Sequence, residues 1–236
     1  MNTFLFDLDG TLLPLREDEF IEIYMTGLLK KMITAGMSKE KFAQALWGGI
    51  DVMRKNTGKM TNESVFWGTF GKILDIDYKP IEALFLEYYI NDFSEIKKAT
   101  TYTPLAAECI NTLKDKGYQM ILATNPLFPK VATYQRIKWA GLKPEDFLFV
   151  TTIENSYYSK PNLNYYQDIL DKFHLKPQDC IMVGNDVEED MIASKLGIDV
   201  FLVKDCLVNR LNKDSSIYKQ GKLEDLLEFI VRLPKL

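Results

Sequence analysis

The sequence is poor in the residues on which several common chemistries depend. Only one histidine, His174, occurs among 236 residues, so a histidine-rich metal site or a histidine relay would rest on that single side chain. Because His174 lies at a predicted helix end before Pro177, we do not expect it to be catalytic. The three cysteines are far apart and form no Cys-x-x-Cys pair, which is typical of thiols in a reducing cytoplasm.

Long apolar runs and an excess of positive charge are also missing. No segment approaches the run of about 18 apolar residues that a membrane span needs. Residues 1–10 lack the basic segment of a secretory signal. The chain carries 29 Lys and Arg against 33 Asp and Glu, so its net charge of -4 does not suit binding to many nucleic acid phosphates. We therefore expect a cytoplasmic protein with neither a membrane nor a nucleic acid partner.

The sequence does contain a regular alternation of apolar strands and amphipathic helices. The predicted strands are 3–8, 119–124, 147–150, 180–184 and 200–203. The predicted helices of the second half are 104–116, 129–140, 161–173, 187–196 and 223–232. Such alternation predicts an α/β fold with a Rossmann-like parallel sheet and helices on both of its faces.

A helical block interrupts this pattern after the first strand. Apolar residues recur at helical spacing in four segments, of which Phe20, Tyr24, Leu28 and Met32 form the first. The block spans roughly 80 residues, far beyond the about 2–6 residues of a normal connection. We predict that residues 14–98 form an all-helical cap domain over a core of residues 1–13 and 99–236. The Gly48-Gly49 pair predicts a kink or a loop in the second helix.

Four polar clusters fall at related places in this pattern. Asp7-Leu8-Asp9-Gly10-Thr11 closes the first strand, and residues two apart on a strand point to the same face. The other clusters are Thr124-Asn125, Lys160-Pro161 and Gly184-Asn185-Asp186, with Asp190 one helical turn later. Three of the clusters end strands, where parallel sheets bind ligands. Lys160 precedes a predicted helix, whose free N–H groups and dipole favour an anion.

Each cluster also has an ordinary structural interpretation. Asp-Gly pairs are common in turns, Thr124 could be a plain strand residue before a turn at Asn125-Pro126, and Lys160 could be solvated. Asp186 and Asp190 could cap and charge the first turn of a helix. Their joint occurrence favours one shared site, in which several carboxylates would repel one another unless cations were bound. Lys160 supplies one positive charge, and Mg²⁺ suits carboxylates, water and phosphate oxygens.

Taken in order, the four motifs resemble those of the haloacid dehalogenase superfamily. The similarity covers nearly the whole chain, with the helical block at the position of that family's cap. The resemblance implies that Asp7 is a nucleophile that forms an aspartyl-phosphate. It implies that Asp9 first protonates the leaving alkoxide and then activates water.

The resemblance also implies the ligands of the phosphate and of the metal. Thr11, Thr124, Asn125 and Lys160 would bind the phosphoryl group. Asp7, the main-chain carbonyl of Asp9 and Asp186 would hold Mg²⁺, with Asp190 behind them or acting through water. Many relatives have an acid where Asn185 stands, so either Asn185 or Asp190 could complete the metal site.

The prediction is therefore a Mg²⁺-dependent phosphatase that hydrolyses a small phosphomonoester and is a monomer or homodimer. An alkoxide leaving group needs the acid at Asp9, whereas a halide does not. The alternatives are a phosphomutase, a non-catalytic phospho-ligand-binding protein on this scaffold, and a receiver-type signalling domain. Candidate specificity residues of the cap are Arg16, Trp47, Arg54, Lys55 and Lys59. For Trp47, packing between cap helices is the alternative to facing the site.

Overall fold

The computed structural model describes all residues from 1 to 236. Its centre is one sheet of six parallel strands in the order β3-β2-β1-β4-β5-β6. The strands are β1 (Thr3–Phe6), β2 (Gln119–Leu122), β3 (Phe149–Val150), β4 (Cys180–Gly184), β5 (Asp199–Val203) and β6 (Lys219–Gly221). The predicted α/β fold with a parallel sheet is confirmed, and β6 is an additional edge strand that the sequence pattern did not predict.

The chain forms eight α-helices. They are α1 (Glu17–Thr34), α2 (Lys39–Arg54), α3 (Asn62–Leu74), α4 (Lys79–Asn91), α5 (Pro104–Asp115), α6 (Lys130–Trp139), α7 (Leu163–Lys172) and α8 (Leu223–Arg232). Short 3-10 helices lie at Phe93–Ala99, Pro144–Asp146, Pro177–Asp179 and Met191–Leu196. None of the helices combines the length and apolarity that crossing a bilayer requires.

The two faces of the sheet are buried by different helices. In β1, Phe4 and Phe6 point into a large apolar cluster that includes residues of α5, α6 and α8. Leu5 points to the opposite face, into a smaller cluster with residues of α7. This alternation is the normal period of a strand, and it explains why β1 reads as a continuous apolar run in the sequence.

Helices α1–α4, called the inserted helices below, lie between β1 and α5 in the chain. The four predicted helical segments are all present, and the residues that define the α1 pattern are all buried. The predicted kink or loop at Gly48-Gly49 is wrong, because α2 runs unbroken from Lys39 to Arg54. A Cβ atom at Gly49 would lie 2.6 Å from Cδ2 of Phe66, so the glycine allows α3 to pack closely on α2.

Two other predicted helices differ from the structure near the carboxyl ends of the strands. The helix predicted from 161 begins only at Leu163, because the side chain of Asn162 accepts the N–H of Asn164 and caps it there. The helix predicted over 187–196 is a turn followed by the 3-10 helix Met191–Leu196. Here the carboxylate of Asp186 accepts the N–H groups of the following residues in place of a helical carbonyl.

Candidate functional site

A cavity of about 1050 Å³ opens between the carboxyl ends of the strands and the inserted helices. Most of the predicted site residues line it, namely Asp7, Asp9, Thr124, Asn125, Asn185, Asp186 and Asp190. The remaining two, Thr11 and Lys160, lie behind the wall and contact Asp7. The structure therefore brings all the polar clusters of the sequence to one place.

Asp7 follows β1 directly and is held from two sides. Its N–H donates to the carbonyl of Val183 at 2.9 Å, which continues the pairing of β1 with β4. The strand ends at Phe6, so Asp7 and Asp9 lie in the turn after β1 and not on the strand itself as predicted. Lys160 Nζ donates to Asp7 Oδ1 at 3.0 Å, and the Thr11 hydroxyl lies 3.2 Å from Asp7 Oδ2. The carboxylate thus has a fixed position at the cavity wall.

Lys160 is 1% exposed and is surrounded by carboxylates. It donates to Asp190 Oδ1 at 2.6 Å as well as to Asp7. Burial alone would lower the pKa of Lys160, but Asp190 and Asp7 outweigh it and raise the pKa well above its usual value. The expected placement at a helix N-terminus is wrong, since α7 begins three residues later. Lys160 is a buried counter-ion that the neighbouring carboxylates keep charged.

The turn after β4 is held by hydrogen bonds from its backbone N–H groups to two of its own side chains, Asp186 and Asp190. Asp186 Oδ1 accepts the N–H groups of Glu188 at 2.8 Å and Glu189 at 2.9 Å. Asp190 Oδ2 accepts the N–H of Asp186 at 3.0 Å, so Asp190 joins this turn to Lys160. These bonds fix the Asp186 side chain and leave its second oxygen, Oδ2, without a hydrogen bond to the backbone.

Asn185 connects this turn to the one after β1. Its Oδ1 lies 3.0 Å from the Thr11 hydroxyl, and its Nδ2 donates to the carbonyl of Cys206 at 2.6 Å. Gly10 is required beside it, because a Cβ atom there would lie 2.3 Å from Asn185 Nδ2 and the backbone φ is +83°. Asn185 therefore positions the two turns relative to each other.

Asp9, whose side chain is 28% exposed, forms an ion pair with the buried Arg136 of α6, a residue that our sequence reasoning missed. Burial raises the pKa of Asp9 to about 6, although the charge of Arg136 opposes the shift. The Arg136 guanidinium is 1% exposed; it stacks 4.5 Å from the ring centroid of Phe128 and donates to the Thr133 hydroxyl at 3.2 Å. The available signal was helical spacing, since Arg136 falls on the apolar face of α6, one turn after Ala132.

Thr124 and Asn125 follow β2 at the centre of the site. The carbonyl of Thr124 accepts the Thr151 hydroxyl at 2.6 Å and the Tyr165 hydroxyl at 2.9 Å, which fixes the backbone there. Asn125 Nδ2 donates to Glu189 at 2.8 Å, while Asn125 Oδ1 is buried with no hydrogen-bond partner. A buried acceptor oxygen without a partner at a cavity wall is suited to accept a hydrogen bond from a donor group of a ligand.

Arg210 is a second cation that the sequence did not indicate. It lies in the polar loop after β5, where no periodic pattern marks it. Its guanidinium donates to Asp186 Oδ2 at 2.5 Å and to Glu17 of α1 at 2.8 Å. Arg210 therefore links the turn after β4 to the first inserted helix.

The candidate specificity residues divide into two groups. Trp47 and Arg54 line the cavity, and Trp47 is 51% exposed, so the alternative that it packs between the inserted helices is wrong. Arg16, Lys55 and Lys59 do not line the cavity. Arg16 pairs with Glu19 and Lys55 pairs with Asp51 on the protein surface.

The charges of the site fit a divalent cation. Five carboxyl groups face three basic side chains, and burial raises the pKa of Asp9 and Asp190 among them, so the site holds more acid than its own cations balance. The acids are Asp7, Asp9, Asp186, Glu189 and Asp190, and the basic residues are Arg136, Lys160 and Arg210. No three His, Cys, Asp or Glu side chains are arranged as a metal-binding group. Mg²⁺ does not need one, because it usually takes one or two carboxylates and keeps several waters.

Comparisons with known proteins agree with this arrangement. The chain is 27% identical to the glyceraldehyde 3-phosphate phosphatase of Methanocaldococcus jannaschii over 241 residues, covering 98% of this chain and 97% of that protein. Its fold is similar to a HAD phosphatase from Thermococcus onnurineus, with a TM-score of 0.61, 22% identity and complete coverage of both chains. It is also similar to a 2-haloacid dehalogenase from Pseudomonas syringae, with a TM-score of 0.65, 15% identity and coverage of 98% and 99%.

The family model of the haloacid dehalogenase-like hydrolases matches residues 1–196, which include every polar cluster described above. The chain therefore belongs to the haloacid dehalogenase-like hydrolase family and is an enzyme of the hydrolase class.

Proposed function

We propose that this hydrolase is a Mg²⁺-dependent phosphatase that cleaves small phosphomonoesters through an aspartyl-phosphate on Asp7. The observation that carries the proposal is the Asp7 carboxylate, which Lys160 and Thr11 hold at the wall of the cavity. A phosphatase also agrees with the similarity to the glyceraldehyde 3-phosphate phosphatase of Methanocaldococcus jannaschii. The helices between β1 and α5 serve in this proposal as the cap that encloses the substrate.

The first step transfers the phosphoryl group to the enzyme. An Asp7 carboxylate oxygen forms a bond to phosphorus while the bond from phosphorus to the alcohol oxygen breaks. Asp9 gives its proton to the departing alkoxide, and its raised pKa of about 6 keeps part of the population protonated near neutral pH. Lys160, Thr124 and the backbone around Asn125 stabilise the charge on the phosphoryl oxygens.

The second step releases inorganic phosphate. Asp9, now ionised, takes a proton from a water molecule as that water attacks phosphorus of the aspartyl-phosphate. The bond between Asp7 and phosphorus breaks, which restores both carboxyl groups to their initial states. Arg136 stabilises the ionised form of Asp9 between the two steps, because it is a fixed cation in contact with that carboxylate.

The metal would be held by Asp7, Asp186 and the main-chain carbonyl of Asp9, with Asp190 behind them. Mg²⁺ neutralises negative charge on the phosphoryl group and so allows a carboxylate to approach it. Asp186 Oδ2 is the oxygen that would face the metal, because Oδ1 is occupied by two backbone N–H groups and the partner of Oδ2 is the half-exposed Arg210 side chain, which the metal would displace. Both oxygens of Asp190 are bonded, to Lys160 Nζ and to the N–H of Asp186, so Asp190 would support the metal site from behind without contacting the metal directly.

Steady-state hydrolysis of p-nitrophenyl phosphate tests the proposal. We expect turnover with Mg²⁺, loss of turnover when EDTA removes the metal, and at least about a thousandfold loss in Asp7→Asn. Asp115→Asn at the exposed end of α5 is the matched control and should keep the wild-type rate. Turnover that survives in Asp7→Asn would overturn the nucleophile assignment.

A measurement of released inorganic phosphate separates hydrolysis from phosphomutase activity. With glyceraldehyde 3-phosphate or a sugar phosphate as the substrate, a phosphatase releases one inorganic phosphate per substrate consumed. A mutase would instead convert a sugar monophosphate to its positional isomer without net release. We expect stoichiometric phosphate release for every substrate that is consumed.

A further inference from the structure

The cavity is much larger than the chemistry of its phosphate end requires. At about 1050 Å³, its volume is slightly above the range of about 300–1000 Å³ for pockets that enclose drug-sized ligands. A triose phosphate, with only about ten non-hydrogen atoms, is far smaller than such ligands. The space beyond the carboxylates is therefore larger than a triose phosphate would fill.

Apolar side chains from separate helices line that additional space, beside charged ones such as Arg54, Lys79 and Glu82. Ile21 of α1, Trp47 of α2 and Leu86 of α4 line the cavity and are 43%, 51% and 50% exposed. Phe128 and Tyr134 complete the wall next to the polar end. Single exposed apolar residues are common on protein surfaces, but three from three helices that converge on one cavity are typical of a ligand-binding groove.

These side chains are not needed to hold the inserted helices together. On α1 the buried face consists of Phe20, Tyr24, Leu28 and Met32, which leaves Ile21 beside that face and open to the cavity. On α4 the buried residues are Phe85, Tyr88 and Tyr89, and Leu86 again lies outside this set. Ile21 and Leu86 thus lie outside the buried faces of their helices, and their exposed parts are open to the cavity.

We propose that the substrate is a phosphomonoester whose alcohol carries an apolar body larger than a triose, and that Ile21, Trp47 and Leu86 bind this body. The proposal rests on the phosphatase function above, because the phosphate is assigned to the polar end of the same cavity. The apolar body extends from the phosphate past Phe128 towards α2 and α4. It contributes binding through the burial of apolar surface.

Primary alkyl phosphates test the proposal, because chain length changes the apolar body with little change in the leaving group. We compare kcat/KM for ethyl phosphate and hexyl phosphate in the presence of Mg²⁺. One fully buried methylene is worth about a fourfold change in binding, so hexyl phosphate should exceed ethyl phosphate by about tenfold or more. Equal values, or a preference for ethyl phosphate or glyceraldehyde 3-phosphate over hexyl phosphate, would overturn the proposal.

Variants at exposed positions locate the effect. The double variant Ile21→Gln with Leu86→Gln should reduce the ratio of hexyl to ethyl phosphate to near one. The matched controls are Ile33→Gln on α1 and Ile90→Gln on α4, which are 48% and 60% exposed but do not line the cavity. Both controls should keep the wild-type ratio. An equal fall in the control variants would show that the cavity wall is not the cause, which would contradict the proposal.

Binding without turnover separates this inference from the proposed function. Calorimetry with ethylphosphonate and hexylphosphonate, which have no ester bond to cleave, measures the apolar contribution alone. Tighter binding of hexylphosphonate together with no hydrolysis of any phosphate would overturn the phosphatase but support the apolar site. Hydrolysis of phosphates without any gain from hexylphosphonate would support the phosphatase and overturn the apolar site.

Discussion

At the scale of single residues, the carboxylates of the site form ion pairs with three basic side chains. Lys160 contacts Asp7 and Asp190, Arg136 contacts Asp9, and Arg210 contacts Asp186. Each acid that we assign a role therefore has a cation that sets its position. A change at one of these cations affects the corresponding acid, which makes the roles separable by experiment.

The acid role of Asp9 predicts a dependence on the leaving group. In Asp9→Asn, kcat/KM for ethyl phosphate should fall by about 10²–10⁴, because a poor leaving group needs a proton. The value for p-nitrophenyl phosphate should fall much less, since p-nitrophenolate leaves without one. Since kcat/KM reports only the steps up to release of the alcohol, the later role of Asp9 does not enter. Equal losses for the two substrates would contradict the assignment.

The pair of buried Arg136 and partly buried Asp9 predicts a stability effect. Arg136→Met removes the cation and leaves the Asp9 carboxyl group without its partner, so the free energy of unfolding in urea should fall by about 1–3 kcal/mol. Adding Asp9→Asn to this variant should restore part of the loss, because no charge then remains unpaired. A loss below about 1 kcal/mol, with no recovery in the double variant, would show that the pair contributes little.

At the scale of elements, α2 and α3 are packed through glycines. A Cβ atom at Gly48 would lie 2.5 Å from Cδ1 of Ile73, and one at Gly49 would lie 2.6 Å from the ring of Phe66. Close contact of this kind positions Trp47 and Arg54 of α2 at the cavity. The Gly-Gly pair is therefore a packing feature of the helix pair.

Alanine substitutions test this role directly. Gly49→Ala should lower the free energy of unfolding by about 1–3 kcal/mol, because Phe66 must move. The matched control is Gly68→Ala on α3, where a Cβ atom would meet nothing within 4 Å. Since alanine is the better helix former, Gly68→Ala should leave stability unchanged or raise it by up to about 1 kcal/mol. Thermal denaturation of both variants provides the measurement, and similar effects at the two positions would contradict this account.

Elements with a clear period could be predicted from the sequence, and elements held by side-chain bonds could not. The inserted helices and the strands β1, β2, β4 and β5 follow from apolar spacing. The helix predicted over 187–196 failed because Asp186 and Asp190 satisfy backbone N–H groups in a turn. The polar clusters could be assigned to one site because strand ends meet at one edge of a parallel sheet. The contact of Arg210 with Asp186 is tertiary, and nothing in its local sequence marks it.

At the scale of the whole molecule, the inserted helices are bonded to loops at the carboxyl ends of the strands, close to Lys160. Asn62, at the start of α3, is fully buried, and its Nδ2 donates to the carbonyl of Pro126 at 3.2 Å. The Ser159 hydroxyl, next to Lys160, donates to the carbonyl of Met53 at the end of α2 at 3.2 Å. These bonds connect the apolar part of the cavity to its polar end.

The burial of the three cysteines in the folded molecule predicts which thiol reacts with an alkylating reagent. Burial raises the pKa of Cys109 to about 12 and that of Cys180 to about 11, so neither forms a reactive thiolate near neutral pH. Cys206 is only partly buried and lines the cavity. Iodoacetamide should therefore label Cys206 first in the folded protein, and all three cysteines only in urea. Mass spectrometry of the peptides gives the result, and equal labelling of the folded protein would contradict the burial of the other two.

The most direct test of the central claim is detection of the phosphorylated enzyme. The protein is mixed with Mg²⁺ and p-nitrophenyl phosphate, quenched in acid during turnover, digested and analysed by mass spectrometry. We predict a phosphoryl group on Asp7 in the wild type, and no modified peptide in Asp7→Asn. Turnover with an unmodified Asp7, or a phosphoryl group on another residue of the wild type, would contradict the proposed mechanism.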